Sequence, residues 1–168
     1  GEIGLNVWVE NGDILFYIAQ SGFFDENNGF LKHGRVRINY NPNPFIDFSE
    51  FKQTLKLKEG YIEILGVKNN LSIKTKIYVD VFNPVIIIIT ESNQPIEITL
   101  NYENWRYFDR VQFGRETDNN RSFINAPIKA FVRKDSSFFF SNKIISFHCN
   151  DNKEPNAFDL CLRQQKLY

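Results

Sequence analysis

The chain reverses at Asn11-Gly12, between two runs that alternate apolar and polar residues, Gly1 to Val9 and Asp13 to Ile18. A two-residue type I′ turn needs positive φ at both positions. Asn followed by Gly tolerates that best, so this opening predicts a β-hairpin. The same period of two recurs along the chain. Val36, Ile38 and Tyr40 alternate with Arg35, Arg37 and Asn39, and Leu71, Ile73, Thr75, Ile77 and Val79 alternate with Ser72, Lys74 and Lys76. Side chains on a strand point to opposite faces in turn, so such runs read as half-buried strands.

Further strands are expected at Lys52 to Leu57, Tyr61 to Val67, Pro95 to Leu100, Ile128 to Arg133, Ser137 to Phe140, Lys143 to Cys149 and Ala157 to Leu162. Turn chemistry separates them at Asn41-Pro42-Asn43-Pro44, Glu59-Gly60, Asn69-Asn70, Asn83-Pro84, Asn93-Gln94-Pro95 and Asp118-Asn119-Asn120. No segment keeps a helical period over three turns; Phe45 to Phe51 allows at most a short helical turn. About a dozen short strands at this spacing predict an all-β fold, a two-sheet antiparallel β-sandwich of supersandwich-like form. Asn104 to Arg121 is long, charged and weakly patterned, and reads as the largest loop.

Composition narrows the function. With 168 residues the chain is expected to form a single β-sandwich domain, and with 42% hydrophobic residues, including 17 Phe, 7 Tyr and 2 Trp, it can bury an aromatic core. Its 20 basic and 20 acidic residues cancel, which leaves no electrostatic footprint for nucleic acid. The longest apolar run, Val85 to Ile89, ends at Thr90 and is far shorter than the roughly 18 residues a membrane helix needs. No export signal is visible in the chain. Cys149 and Cys161 fall in what read as neighbouring strands across the polar turn 150–156, which admits a disulfide; two buried thiols is the plainer reading. Two Cys and the distant His33 and His148 are too few for a zinc site, and no metal or other cofactor is expected.

Several segments carry a resemblance. They are the Gly-rich entry at Gly1, Phe16-Tyr17-Ile18, Asp25-Glu26-Asn27, Leu31 to Ile38, Asn43-Pro44-Phe45, Tyr102-Glu103-Asn104-Trp105-Arg106 and Leu162-Arg163-Gln164-Gln165. In kind and order they resemble an uncharacterised bacterial N-terminal β-sandwich domain family found in glycoside-hydrolase-like proteins, similar to the N-terminal domain of family 95 alpha-L-fucosidases. The resemblance spans nearly the whole chain. The family's entry motif has a Gly-Asn pair ahead of the Gly with which this chain opens, so the chain is expected to begin at or inside that motif. Gly22 and Phe24 stand where many relatives have Asp and Trp, and Cys149 stands where a basic residue is expected. The resemblance implies a non-catalytic N-terminal part of a longer, exported bacterial protein, periplasmic, cell-surface or extracellular. The catalytic acids of such proteins belong to a helical-barrel domain that follows the sandwich, so the resemblance implies that this chain is not an enzyme by itself.

The residues themselves offer little catalytic pattern. A glycosidase needs two carboxylates about 5 to 9.5 Å apart across the bond. Asp25, Glu26, Glu97, Glu103, Asp109 and Glu116 are available, and solvated acids at turns is their plainer reading. No Gly-x-Ser-x-Gly elbow accompanies His148, which is expected to be satisfied by a backbone or side-chain partner. The better candidate is the cluster Tyr102, Glu103, Asn104, Trp105, Arg106 and Tyr107, because rings stack on sugar C–H faces while amides and charges bind hydroxyls. Its structural alternative has Trp105 closing the end of the sandwich and Arg106 paired to an acid such as Glu103. Asp25 and Glu26, in the loop from Ser21 to Gly29 with Phe23 and Phe24, form a second candidate that could face a catalytic partner. Three functions follow: a scaffold lending loops to a carbohydrate-active site, a self-contained carbohydrate-binding module with carbohydrate as its partner, or an interaction sandwich without a sugar ligand.

Overall fold

The predicted hairpin is present, with Asn11 at φ 52° and Gly12 at φ 85° between strands β1 (Ile3–Glu10) and β2 (Asp13–Phe24). A computed structural model describes residues 2–27, 29–115 and 130–150. The remaining strands among these residues are β3 (Phe30–Asn41), β4 (Glu50–Lys56), β5 (Tyr61–Lys68), β6 (Leu71–Val79), β7 (Ile86–Ser92), β8 (Glu97–Glu103), β9 (Arg110–Val111), β10 (Phe131–Val132), β11 (Ser136–Phe140) and β12 (Lys143–Phe147). One four-stranded sheet has the order β1-β2-β3-β8 and a second the order β4-β5-β6-β7, while β9-β10 and β11-β12 form two-stranded ribbons. No helix among the described residues is long and apolar enough to cross a membrane.

The chain divides into two compact units, Gly1–Ser21 with Gly34–Glu103, and Gly22–His33 with Asn104–Tyr168. The first is a sandwich. Its core draws Ile14, Phe16, Val36, Ile38 and Tyr40 from one four-stranded sheet, Ile64, Leu71, Ile73 and Ile77 from the other, and Phe45 from the connection between β3 and β4. These are the inward positions that the alternation marks, because burying one face of each sheet selects every second residue. Thr75, fully buried, is the one polar residue at an inward position of β6. Its hydroxyl is satisfied by the hydroxyl of Tyr40 at 2.8 Å, and Tyr40 also meets Thr90 at 3.2 Å, so the polar atoms in this core are paired.

Several boundaries differ from expectation. β2 runs on past Ile18 to Phe24, because pairing with β1 as far as Gln20 carries a polar stretch that propensity alone would end. β8 starts at Glu97 rather than Pro95, since proline has no N–H for the ladder. The apolar run after Val85 becomes β7, an edge strand. β12 ends at Phe147, so Cys149 lies beyond it and is exposed, against the expectation of a buried thiol. Cys161 and the strand expected at Ala157 to Leu162 lie outside the described residues.

Candidate functional site

In the second unit, four segments distant in sequence bring charged side chains into one buried cluster: the loop after β2, the loop after β8, the link from β10 to β11, and the residues after β12. Asp25 opens the first. Its Oδ1 accepts the backbone N–H of Asn27 at 3.0 Å and of Gly29 at 2.6 Å, and its own N–H donates to the Gly29 carbonyl at 2.9 Å. This Asx-type turn directs the neighbouring Glu26 and Asn27 inward, where both are buried. Burial, with the Glu26 charge adding to it, pushes the Asp25 carboxyl above its ordinary range against the pull of those two N–H groups and of His148. Asn27 donates from Nδ2 to the Phe131 carbonyl at 2.6 Å, which ties the loop to β10.

At the centre stands Asp135. Arg106 donates to it from Nε at 2.9 Å and from Nη2 at 2.7 Å, a bidentate pair whose side chains are only 6% and 3% exposed. The Asp135 N–H also donates to the Arg106 carbonyl at 2.7 Å, so backbone and side chain hold the same two residues together. His148 faces Asp135 Oδ1 with Nδ1 at 2.9 Å and Glu26 Oε2 with Nε2 at 3.3 Å. The other Glu26 oxygen accepts the Arg133 N–H at 3.1 Å. Each ring nitrogen thus faces a carboxylate oxygen; either neutral tautomer donates to one carboxylate, and the second contact requires a second proton on ring or carboxyl. Phe23 stacks on His33 at 3.9 Å and meets His148 edge-on at 6.4 Å. Burial and the Arg106 charge hold the His33 imidazole below its usual value.

Two carboxylates on either side of an imidazole resemble an acid–base pair, but all three side chains are buried. The side chains of His148, Glu26 and Asp135 are 2%, 5% and 3% exposed, and the ring lies between the two carboxylates in contact with both. The cluster fastens the loops to one another. Asn104 completes the fastening by accepting the Arg106 N–H on Oδ1 at 2.9 Å. Among the described residues, no group of three or more His, Cys, Asp or Glu could hold a metal ion.

The sequence candidates are therefore partly gathered and partly separated. Asn104, Arg106, Asp25 and Glu26 meet in or beside the cluster, and the acids are buried rather than solvated at turns, because Arg106, His148 and backbone N–H groups supply partners that only the fold brings near. Arg106 pairs with Asp135, not Glu103. Glu103 lies at the end of β8 in the first unit, between Arg37 Nε at 2.5 Å and Arg35 Nε at 2.6 Å, and Arg37 reaches on to Asp13 at 2.6 Å. Burial alone would raise the Glu103 carboxyl, but the hydrogen bonds from the two arginines carry it below its ordinary value. Trp105 and Tyr107 are 39% and 70% exposed, and the Phe108 ring lies 5.0 Å from that of Tyr107. His148 has side-chain partners, as expected, yet Asp135 carries no local signal, since its partners lie 29 residues before and 13 after it.

Neither a curated protein nor a solved structure matches the chain. One family model does, and it matches over residues 1–168. The chain belongs to this uncharacterised N-terminal domain family, DUF5703_N, described as a domain of unknown function (DUF5703).

Proposed function

We propose that this domain is a non-catalytic module of a glycoside-hydrolase-like, exported bacterial protein, and that it lends the ring-bearing loop 104–108 to a carbohydrate-active site on a helical-barrel partner domain. The observation that carries this reading is the division of labour within the loop. The Arg106 side chain is spent inward on the buried ion cluster and Asn104 Oδ1 on the Arg106 N–H, while the rings of Trp105, Tyr107 and Phe108 are exposed. Rings held on a fixed backbone stack on sugar faces with little ordering cost, which is how a wall of a sugar site gains affinity. The buried acids of the cluster do no hydrolysis in this reading, and the chain alone turns over no glycoside.

The test is kinetic. In the full-length polypeptide that carries the domain, Trp105→Ala and Tyr107→Ala raise KM for an oligosaccharide about tenfold and change kcat less, as expected when a uniform binding contact is lost. Unchanged KM in both variants refutes the loop contribution. Saturable glycan binding by the isolated domain, abolished by Trp105→Ala, favours instead the self-contained binding module, for which the same exposed rings are the supporting observation.

A further inference from the structure

Among the described residues the edge of β1 is open, in a way that specifies what it can bind. Of the strands among the described residues, β1 pairs with β2 alone and ends its sheet. The two-residue turn makes Glu10 and Asp13 a hydrogen-bonded pair, and the Ser21 N–H donates to the Glu2 carbonyl at 2.8 Å at the far end of the same phase. Residues 2, 4, 6, 8 and 10 therefore bond to β2. Ile3, Leu5, Val7 and Val9 turn their N–H and C=O groups outward. Of these groups the Val7 carbonyl alone has a partner among the described residues, Gln53 Nε2 at 3.2 Å, a side-chain amide standing where the N–H of a further strand would stand. β1 also lacks the usual protection of an edge, having no Lys, Arg or Pro from Ile3 to Glu10, whereas the edge strand β4 carries Lys52 and Lys56.

Two apolar pockets lie beside this edge. One, of about 500 Å³, is lined by Val9, Phe45, Ile46, Phe48 and Phe51 with the Asn11-Gly12 turn; the other, of about 320 Å³, by residues including Leu5, Val7, Leu55, Ile62 and Ile77. Val9 and Leu5 are four residues apart, about 13 Å along a strand, which is the spacing of two same-face side chains at i and i+4 on an added strand.

We propose that the open edge of β1 is a strand-addition site for an extended segment of a partner polypeptide carrying bulky apolar side chains four residues apart. Outward backbone groups supply the ladder, and the two pockets supply side-chain selection. A second copy of this chain fits less well, because at this edge it offers only Leu5, Val7 and Val9, which already form the pocket walls. The inference stands independently of any carbohydrate role.

The experiment titrates the ¹⁵N-labelled chain with a capped heptapeptide, Thr-Leu-Thr-Val-Thr-Phe-Thr, and with two versions N-methylated at alternate residues in opposite phases. Expected are saturable shifts of the Ile3, Leu5, Val7 and Val9 amides, binding at least tenfold weaker for one methylation phase and unchanged for the other. Val7→Pro weakens binding at least tenfold, and because the Val7 N–H points away from β2 this proline removes no ladder bond. Gln53→Ala, which frees the Val7 carbonyl, tightens binding several-fold. Absence of saturable shifts overturns the proposal, as does binding indifferent to both methylation phases and to Val7→Pro, or a monomer–dimer equilibrium that Val7→Pro abolishes without any peptide binding.

Discussion

Replacing Arg106 with Met tests whether the buried cluster fastens the loops. The substitution keeps an unbranched stem but deletes the guanidinium, and with it two charge-assisted hydrogen bonds at 2.9 and 2.7 Å to a carboxylate only 3% exposed. Each such bond contributes about 1.5–3 kcal/mol. Breaking one side of a buried pair costs about 3–5 kcal/mol, because the surviving charge is left desolvated. The two figures describe the same loss and are not summed, so the expected destabilisation is about 3–5 kcal/mol. Against a total stability of about 5–15 kcal/mol this is a large share. At about 2–4 °C per kcal/mol for a domain of this size, Tm falls by about 6–20 °C. The assay is urea denaturation followed by circular dichroism, read as a lowered midpoint at unchanged m. Lys74→Gln is the comparison, since the Lys74–Glu91 pair at 3.3 Å has side chains 40% and 56% exposed and contributes about 0–1 kcal/mol. A loss below about 1 kcal/mol for Arg106→Met, indistinguishable from Lys74→Gln, refutes the argument.

Three further outcomes are expected. Gly34→Ala destabilises by about 1–3 kcal/mol in the same denaturation assay, because Gly34 sits at φ 128° and a Cβ there would lie 2.7 Å from the Tyr102 ring and 2.9 Å from the Glu103 carbonyl; a change under about 0.5 kcal/mol contradicts it. Tyr40→Phe costs about 0.5–1.5 kcal/mol, since the hydroxyls of Thr75 and Thr90 still meet at 3.3 Å and neither is orphaned; a loss above about 3 kcal/mol means the network has no such reserve. Glu103 has a folded pKa below its unfolded value near 4.3, so its contribution is full above that value and disappears as pH falls through the folded pKa. Midpoints of the wild type and Glu103→Gln, well apart at pH 7, should therefore converge below about pH 4; a gap constant with pH shows that the carboxylate charge is not what stabilises.

Local sequence determines most of the sandwich. Period-two alternation marks the buried faces of β3, β5 and β6, since a pleated strand with one covered face admits only that pattern, and Asn11-Gly12 determines the first hairpin because few other pairs accept positive φ twice. The rings of Trp105 and Tyr107 and the carboxylates of Asp25 and Glu26 could also be read as a group of candidates from residue type alone. Which way each one points could not. Arg106 turned inward to Asp135 rather than to the adjacent Glu103, and Glu103 went instead to Arg35 and Arg37, because β3–β8 pairing sets Arg35 directly opposite it. His148 and Glu26, 122 residues apart, meet only through the folded backbone. The place of β1 at the edge of its sheet among the described residues likewise follows from strand order, which a single strand's residues do not encode. Alternation and turn propensity act over a few residues and are written locally; ion pairing and strand order depend on loop closures across the chain, so tertiary structure alone decides them.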